Sequence, residues 1–340
     1  MTTRQALLVA LAAGSVALTA ACTSASEANG GDDATGEQVS ADDLVLAYLP
    51  KRMDQGYFQS EAAGVEAKSA ELGVETLILD ARFDANTMSS QLDTAINQGA
   101  KGVILITVDQ QMGPSLMTRA EQAGVTVLAL DDPIEDASGQ PVPFLGYDFE
   151  QIGADVGAQL ATLATERGWP VADLRVAALT FDEVTSCTTR TDATKQALLD
   201  GLDGLQEQQI LETNYAGANT DGALQAMQGL LTSNPGVQHW LVYSCNEEGV
   251  VGAVRALEAA GVDATSCGVG IGDGALAGIE MLKPEENAYC GNLFIDGEAN
   301  GALAVQQLYD ALVNGEELPA QTLSPGVVVT RENAAEVFGG

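Results

Sequence analysis

The sequence predicts an α/β fold built as two doubly wound, parallel-sheet lobes. Three observations carry that expectation. From Asp43 onward, short β-branched runs alternate with longer segments of helical period. The strand runs are almost continuously apolar, the pattern of parallel strands covered on both faces. The 340 residues exceed one compact unit at roughly 150 residues per domain. A closed β/α barrel competes on spacing alone, because eight strand runs can be counted.

Taken in order, "MTTRQALLVALAAGSVALTAAC" (1–22) has Arg4, an apolar run from Ala6 and small residues before Cys22. The run falls short of the roughly 20 apolar residues of a spanning helix, so an export signal is expected. Residues 23–40 are rich in Gly, Ser, Ala and acid without apolar periodicity, which reads as a flexible tether. Strand candidates follow at "LVLAYL" (44–49), "VETLIL" (74–79), "GVILIT" (102–107) and "VTVLAL" (125–130). "LRVAALT" (174–180), "HWLVYS" (239–244), "CGVGIG" (267–272) and "AYCGNLF" (288–294) continue the series. Helical period marks 58–72, 85–97, 151–167, 193–202, 222–232, 247–260 and 298–313. The loop "EDASGQPVPF" (135–144) is the clearest interruption, and a first crossover between lobes is expected there.

The chain has 48 Asp and Glu against 14 Lys and Arg, a net charge of −34. Nucleic acid is thereby excluded as a partner, because phosphate binding draws on clustered basic residues. The acidity reads instead as a solvated surface. Beyond Cys22 stand Cys187, Cys245, Cys267 and Cys290. In an exported protein four cysteines permit two disulfides and three connectivities; a Cys267–Cys290 bridge between two strand candidates is the favoured pair. None has zinc-site spacing, and no metal or cofactor is expected.

Ligands of open α/β sheets sit beyond the carboxyl ends of the strands. The polar residues at those junctions are Lys51, the adjacent pair Asp131 and Asp132, Ser186 with Arg190, Asn246 and Asp273. They offer acceptors, donors and an amide, a set suited to a neutral polar ligand. Asn246 and Asp273 each precede a helical run and also suit N-caps. Glu247 and Glu248 suit the helix dipole and nothing more. Tyr57 can stack on a ligand ring or pack on the core. The single histidine, His239, heads an apolar strand and reads as structural, so no histidine-based acid–base relay can be assembled. Paired carboxylates can serve glycoside hydrolysis or hold Mg²⁺. Adjacent residues do not flank a scissile bond, however, and no "GxxxxGK[ST]" loop accompanies them.

Several collinear blocks give these residues a context: "LPKRMDQGYFQ", "GAKGVIL", "LALDD", "ERGW", "LTFDEVTSCTTRT", "GVQHWLVYSCNEEGVVGAVRALE" and "VVVTREN". From about Leu44 to the C-terminus the chain resembles periplasmic sugar-binding proteins of the type I, two-lobed class, and within it the L-arabinose-binding proteins of ABC importers. "LTAAC" in turn resembles a bacterial lipobox, which implies lipidation at Cys22.

By this resemblance the ligand lysine matches Lys51, the stacking tryptophan matches Tyr57, and the paired aspartates match Asp131 and Asp132, the latter at the anomeric hydroxyl. Ser186 stands where the family often has Thr, Arg190 matches the ring-oxygen donor, and Asn246 matches the asparagine. Gln55 falls where arabinose-binding proteins carry Glu, and Asp273 where they carry Asn. Tyr147 and Cys245 replace two pocket methionines. The resemblance implies a signal peptide (1–21), a tether (22–41), a first lobe (42–147 plus 296–323) and a second lobe (148–295 plus 324–340), joined by a multi-segment hinge. It implies an exported, lipid-anchored monomer that carries an aldose, with no catalysis, to a membrane permease and its ATPase. A sugar sensor facing a membrane receptor shares the same pocket, while a lactose-repressor-like regulator is opposed by the export signal and the acidity.

Overall fold

The computed structural model describes residues 39–339. The first part of the chain forms β1 (Val45–Leu49), α1 (Gly56–Leu72), β2 (Glu75–Ile78), α2 (Ala85–Asn97), β3 (Gly102–Leu105), α3 (Gly113–Gln122), β4 (Thr126–Leu130) and β5 (Phe144–Tyr147). It continues through α4 (Phe149–Glu166), β6 (Leu174–Thr180), α5 (Thr185–Gly201), β7 (Ile210–Asn214), α6 (Thr220–Ser233), β8 (His239–Ser244), α7 (Glu247–Ala260) and β9 (Cys267–Gly272). The last elements are α8 (Ala277–Met281), β10 (Tyr289–Phe294), α9 (Gly297–Tyr309), β11 (Gln321–Ser324), β12 (Val327–Thr330) and α10 (Ala334–Phe338).

The strands form two open six-stranded sheets, ordered β11-β5-β4-β3-β1-β2 and β12-β10-β9-β8-β6-β7. Every neighbouring pair is parallel except β10–β12. Two sheets with free edges dispose of the closed barrel. In each sheet the order reverses beside the first strand of its lobe, at β1/β3 and at β6/β8. Such reversals open a crevice beyond the carboxyl ends of the strands.

The chain changes sheets three times. The 135–144 loop is not the first of these. Its Glu135–Pro141 bridge folds it back on itself, and it returns as β5 beside β4. The crossing comes after Tyr147, where α4 packs on α5 and β9 of the second sheet. The chain returns between β10 and α9, which packs on α1, and crosses again between β11 and β12.

Four strands, β5, β7, β11 and β12, are not among the runs read from the sequence. β7 buries only Ile210, β12 only Val329 and β11 none of its residues, and all three lie at sheet edges. An edge strand needs less two-faced apolar character than a central one. β5 is buried but only four residues long and carries Gly146.

Helices α1 and α9 approach so closely that a Cβ on Gly301 would sit 2.0 Å from the Glu61 carbonyl oxygen. The cysteines pair as Cys187–Cys245 and Cys267–Cys290. The second bridge, as expected, ties neighbouring strands β9 and β10. The first joins the start of α5 to the end of β8.

Candidate functional site

One cleft between the lobes collects the strand-end residues of both sheets. The first lobe lines it with Lys51, Gln55, Tyr57, Asp131 and Tyr147. The second lines it with Ser186, Arg190, Asn246 and Asp273. Lys51 follows β1, Gln55 precedes α1, and Tyr57 is on its first turn. Ser186 and Arg190 share a face of α5 at the spacing of one turn.

The two aspartates leave β4 in different directions. Asp131 has a left-handed backbone (φ 60°), unusual for a residue with a side chain. Its amide donates to the Leu145 carbonyl at 3.0 Å, while the Asp132 amide turns back to Leu130 at 2.6 Å. The turn sends Asp131 into the cleft, where Tyr57 Oη donates to its Oδ1 at 2.9 Å. Asp132 lies behind it, outside the cavity wall and almost fully buried, with Oδ2 paired to the Lys51 ammonium. Asp132 Oδ1 and Tyr147 Oη have no hydrogen-bond partner among the described residues. Burial, then the charge of Asp132, pushes the Asp131 carboxyl up to about 7, with Lys51, Tyr57 and Arg190 acting against them.

On the opposite wall the Arg190 guanidinium donates from Nε to the Ser186 carbonyl at 2.9 Å and lies 5.0 Å over Phe149. Among the described residues no carboxylate stands within ion-pair distance of it. Burial lowers its pKa, and the charges of Asp132 and Asp131 oppose that. Asn246 is both cap and wall. Its Oδ1 accepts from the Gly249 amide at 3.0 Å and from Tyr215 Oη at 2.7 Å, and its Nδ2 donates to the Ala218 carbonyl at 2.9 Å.

Three expectations need correction. Glu247 is not merely a dipole residue. It is buried and accepts from the amides of Gly274, Leu276 and Ala277 at 2.6–2.9 Å, building the loop that leads into α8. Asp273 therefore does not cap α8; its Oδ1 accepts from the Ala275 amide at 3.2 Å, and burial raises its pKa. Cys245 is not part of the wall. Its sulfur is committed to Cys187, which does line the cavity. His239, the expected structural histidine, stacks on Trp169 at 5.0 Å, and its Nδ1 lies 3.2 Å from the Thr265 carbonyl.

Sequence reasoning missed the aromatic walls Phe58, Phe149 and Phe181, and also Glu248, pushed up to about 7 chiefly by burial. Phe181 stands just after β6, a junction that supplied part of the polar set, so a search there for apolar faces would have found it; Phe149 follows β5, a strand the sequence reading did not include. Across the cleft, Gln55 Nε2 donates to the Ala218 carbonyl at 2.9 Å and Arg52 Nη1 to the Gly217 carbonyl at 3.0 Å. The lobes are thus closed on one another. Among the described residues no group of three or more His, Cys, Asp and Glu is arranged to hold a metal ion. Residues 1–38, with the expected signal, Cys22 and most of the tether, lie outside the described residues.

Two open α/β lobes that close their strand-end polar groups over one shared cleft define a clamp-type binding protein for a small polar molecule. The chain belongs to the periplasmic binding protein domain family, which matches residues 46–317. It is 29% identical to the "ABC transporter L-arabinose-binding periplasmic protein" of Azospirillum brasilense, over 85% of this chain and 87% of that one. It is also 29% identical to the "L-arabinose-binding periplasmic protein" of Escherichia coli K12, over 88% and 92%. In fold it is similar to a periplasmic solute-binding protein from Actinobacillus succinogenes 130z with bound D-allose. That likeness has a TM-score of 0.75 and 20% identity, and covers 86% of this chain and 99% of the other.

Proposed function

We propose that this protein is the extracytoplasmic monosaccharide-binding subunit of an ABC importer, carrying L-arabinose or a related aldose such as galactose, fucose or xylose. It binds and delivers, working with a permease and ATPase, and does not catalyse. The observation that carries this reading is the convergence, from both lobes, of charged donors and acceptors on one cleft with aromatic walls. Sugar hydroxyls donate and accept at once, and hydrogen bonds to ionised partners are about twice as strong as neutral ones. Phe58, Tyr57 and Phe149 line the same cleft and give it apolar surface suited to the C–H groups of the ring. Contacts made by both walls supply the differential affinity that favours the closed form. The names of the curated relatives support the same class of ligand.

Lys51, Asp131, Arg190 and Asn246 are the proposed hydroxyl and ring-oxygen partners. Asp132 acts through Lys51, while Gln55, Tyr147, Ser186 and Asp273 shape the remaining wall. The test is a melting-temperature panel of pentoses and hexoses on the purified protein. At millimolar sugar at least one aldose should raise the midpoint by mass action, and a flat panel would remove the transport reading. The proposed lipid anchor on Cys22 has its own test. Cys22→Ser should release the protein from membranes, and unchanged membrane association would argue against it.

A further inference from the structure

Glu61 lies on the apolar stripe of α1 with Phe58, Ala62 and Val65, and it is fully buried. Among the described residues it has no ion-pair partner, and Lys51, whose charge reaches it, is engaged with Asp132. A bare buried carboxylate is costly, so the proton positions around it have to be counted. Tyr48 Oη donates to Glu61 Oε2 at 2.7 Å. Tyr57 Oη stands 2.9 Å from Asp131 Oδ1 and 3.3 Å from Glu61 Oε1. Tyr57 has one hydrogen and faces two carboxyl groups. The shorter contact takes it to Asp131. The longer one is then a hydrogen bond only if Glu61 itself carries a proton and donates to the Tyr57 oxygen.

We propose that Glu61 is a positioning residue for sugar binding, a neutral carboxylic acid whose hydroxyl donates to Tyr57 and so commits the Tyr57 hydrogen to Asp131. The proposal rests on the sugar-binding reading above. The chain Glu61 to Tyr57 to Asp131 satisfies every polar group in it and fixes Asp131 Oδ1, leaving the second Asp131 oxygen for a sugar hydroxyl. An ionised Glu61 would compete for the same hydrogen and place a second negative charge behind Asp131.

The groups that face Glu61 agree with this. They are Tyr48 from β1, Lys51 after β1, Tyr57 from its own helix, Asp131 after β4 and Tyr147 from β5. From α9, Gly297 and Gly301 approach its main chain. Burial and then the Asp131 charge hold Glu61 well above the usual carboxylate range, with the two tyrosine hydroxyls opposing.

The test is the pH dependence of binding, with L-arabinose and D-galactose titrated into the full chain by calorimetry. Wild-type affinity should fall on the alkaline side as Glu61 ionises. Glu61→Gln keeps a donor for Tyr57 and an acceptor for Tyr48, so it should bind within about threefold of wild type at neutral pH and lose the alkaline fall. Glu61→Leu should weaken binding by about tenfold, the size of one hydrogen bond. A Glu61→Gln protein that keeps the wild-type alkaline fall, or binds as poorly as Glu61→Leu, would overturn the proposal.

Should Glu61→Gln fail to fold, Tyr48→Phe serves instead. Removing that donor should move the fall to higher pH, and an unmoved fall counts against the role. Infrared difference spectra separate this proposal from the sugar reading. At neutral pH the ligand-free wild-type minus Glu61→Gln difference should contain the carbonyl stretch of one protonated carboxylic acid, over and above the bands that Asp131 and Glu248 give in both proteins. Its absence overturns the neutral Glu61 even if sugar binds. Its presence in a protein that binds no sugar overturns the role in binding together with the transport reading.

Discussion

In the sugar-binding reading proposed above, Arg190 is a residue prepared for a ligand before one arrives. Its Nε is held by the Ser186 carbonyl and its plane by Phe149, so its orientation costs nothing further on binding. Arg190→Ala should therefore abolish the sugar-induced melting shift while moving the unliganded midpoint by little; a large loss of unliganded stability would make it a structural residue instead. At this scale the sequence was informative where chemistry sits at strand ends. Lys51, Asp131, Arg190 and Asn246 were all legible from their place after an apolar run. Cys245 was misplaced because position along the chain says nothing about which sulfur faces a cavity and which is spent in a disulfide. Glu61 was overlooked although its signal was present, a carboxylate three residues after Phe58 and four before Val65 on a buried helical stripe.

The loop before α8 is held by a residue from another helix. Three amides of the 274–277 segment donate to Glu247, and Asn292 Nδ2 adds a contact at 3.2 Å. Glu247→Ala leaves these donors buried without an acceptor and should cost about 3 kcal/mol by chemical denaturation. Because Asp273 and Ala275 stand on that loop and line the cleft, sugar affinity should fall with it. Glu247→Ala with unchanged stability would mean water replaces the carboxylate. Among the elements, the interior strands other than β5 were readable because both their faces are apolar, whereas the four-residue β5 was not; of the edge strands, β2 was read and β7, β11 and β12 were not. Helix α3 escaped notice behind Gly113 and Pro114, residues that usually punctuate a loop. The crossover was assigned to the conspicuous loop at 135–144 because composition marks loops, while only pairing shows which sheet a chain rejoins.

At the scale of the molecule, a chain with a net charge of −34 folds into two lobes that face each other. Asp131 and Glu248 are both raised to about 7 chiefly by burial. A carboxyl whose pKa is higher folded than unfolded makes the native state hold protons more tightly, so stability declines as pH rises from about 4 to about 7. Mutual repulsion of the surface acids acts in the same direction. The ligand-free protein should consequently melt at a higher temperature at pH 5 than at pH 8, and the reverse order would show that these carboxyls are not buried as described. The two-lobe architecture was legible because strand and helix periods alternate across the whole chain. The closed arrangement was not, since it depends on main-chain carbonyls that sequence does not distinguish. Those carbonyls, on Gly217 and Ala218, receive Arg52 and Gln55 from the other lobe. Bonds that join rim to rim reward shutting without regard to what is enclosed. They multiply the affinity for every occupant by one common factor and slow every escape alike, so the preference among sugars is written in the floor of the cleft and the dwell time at its lip.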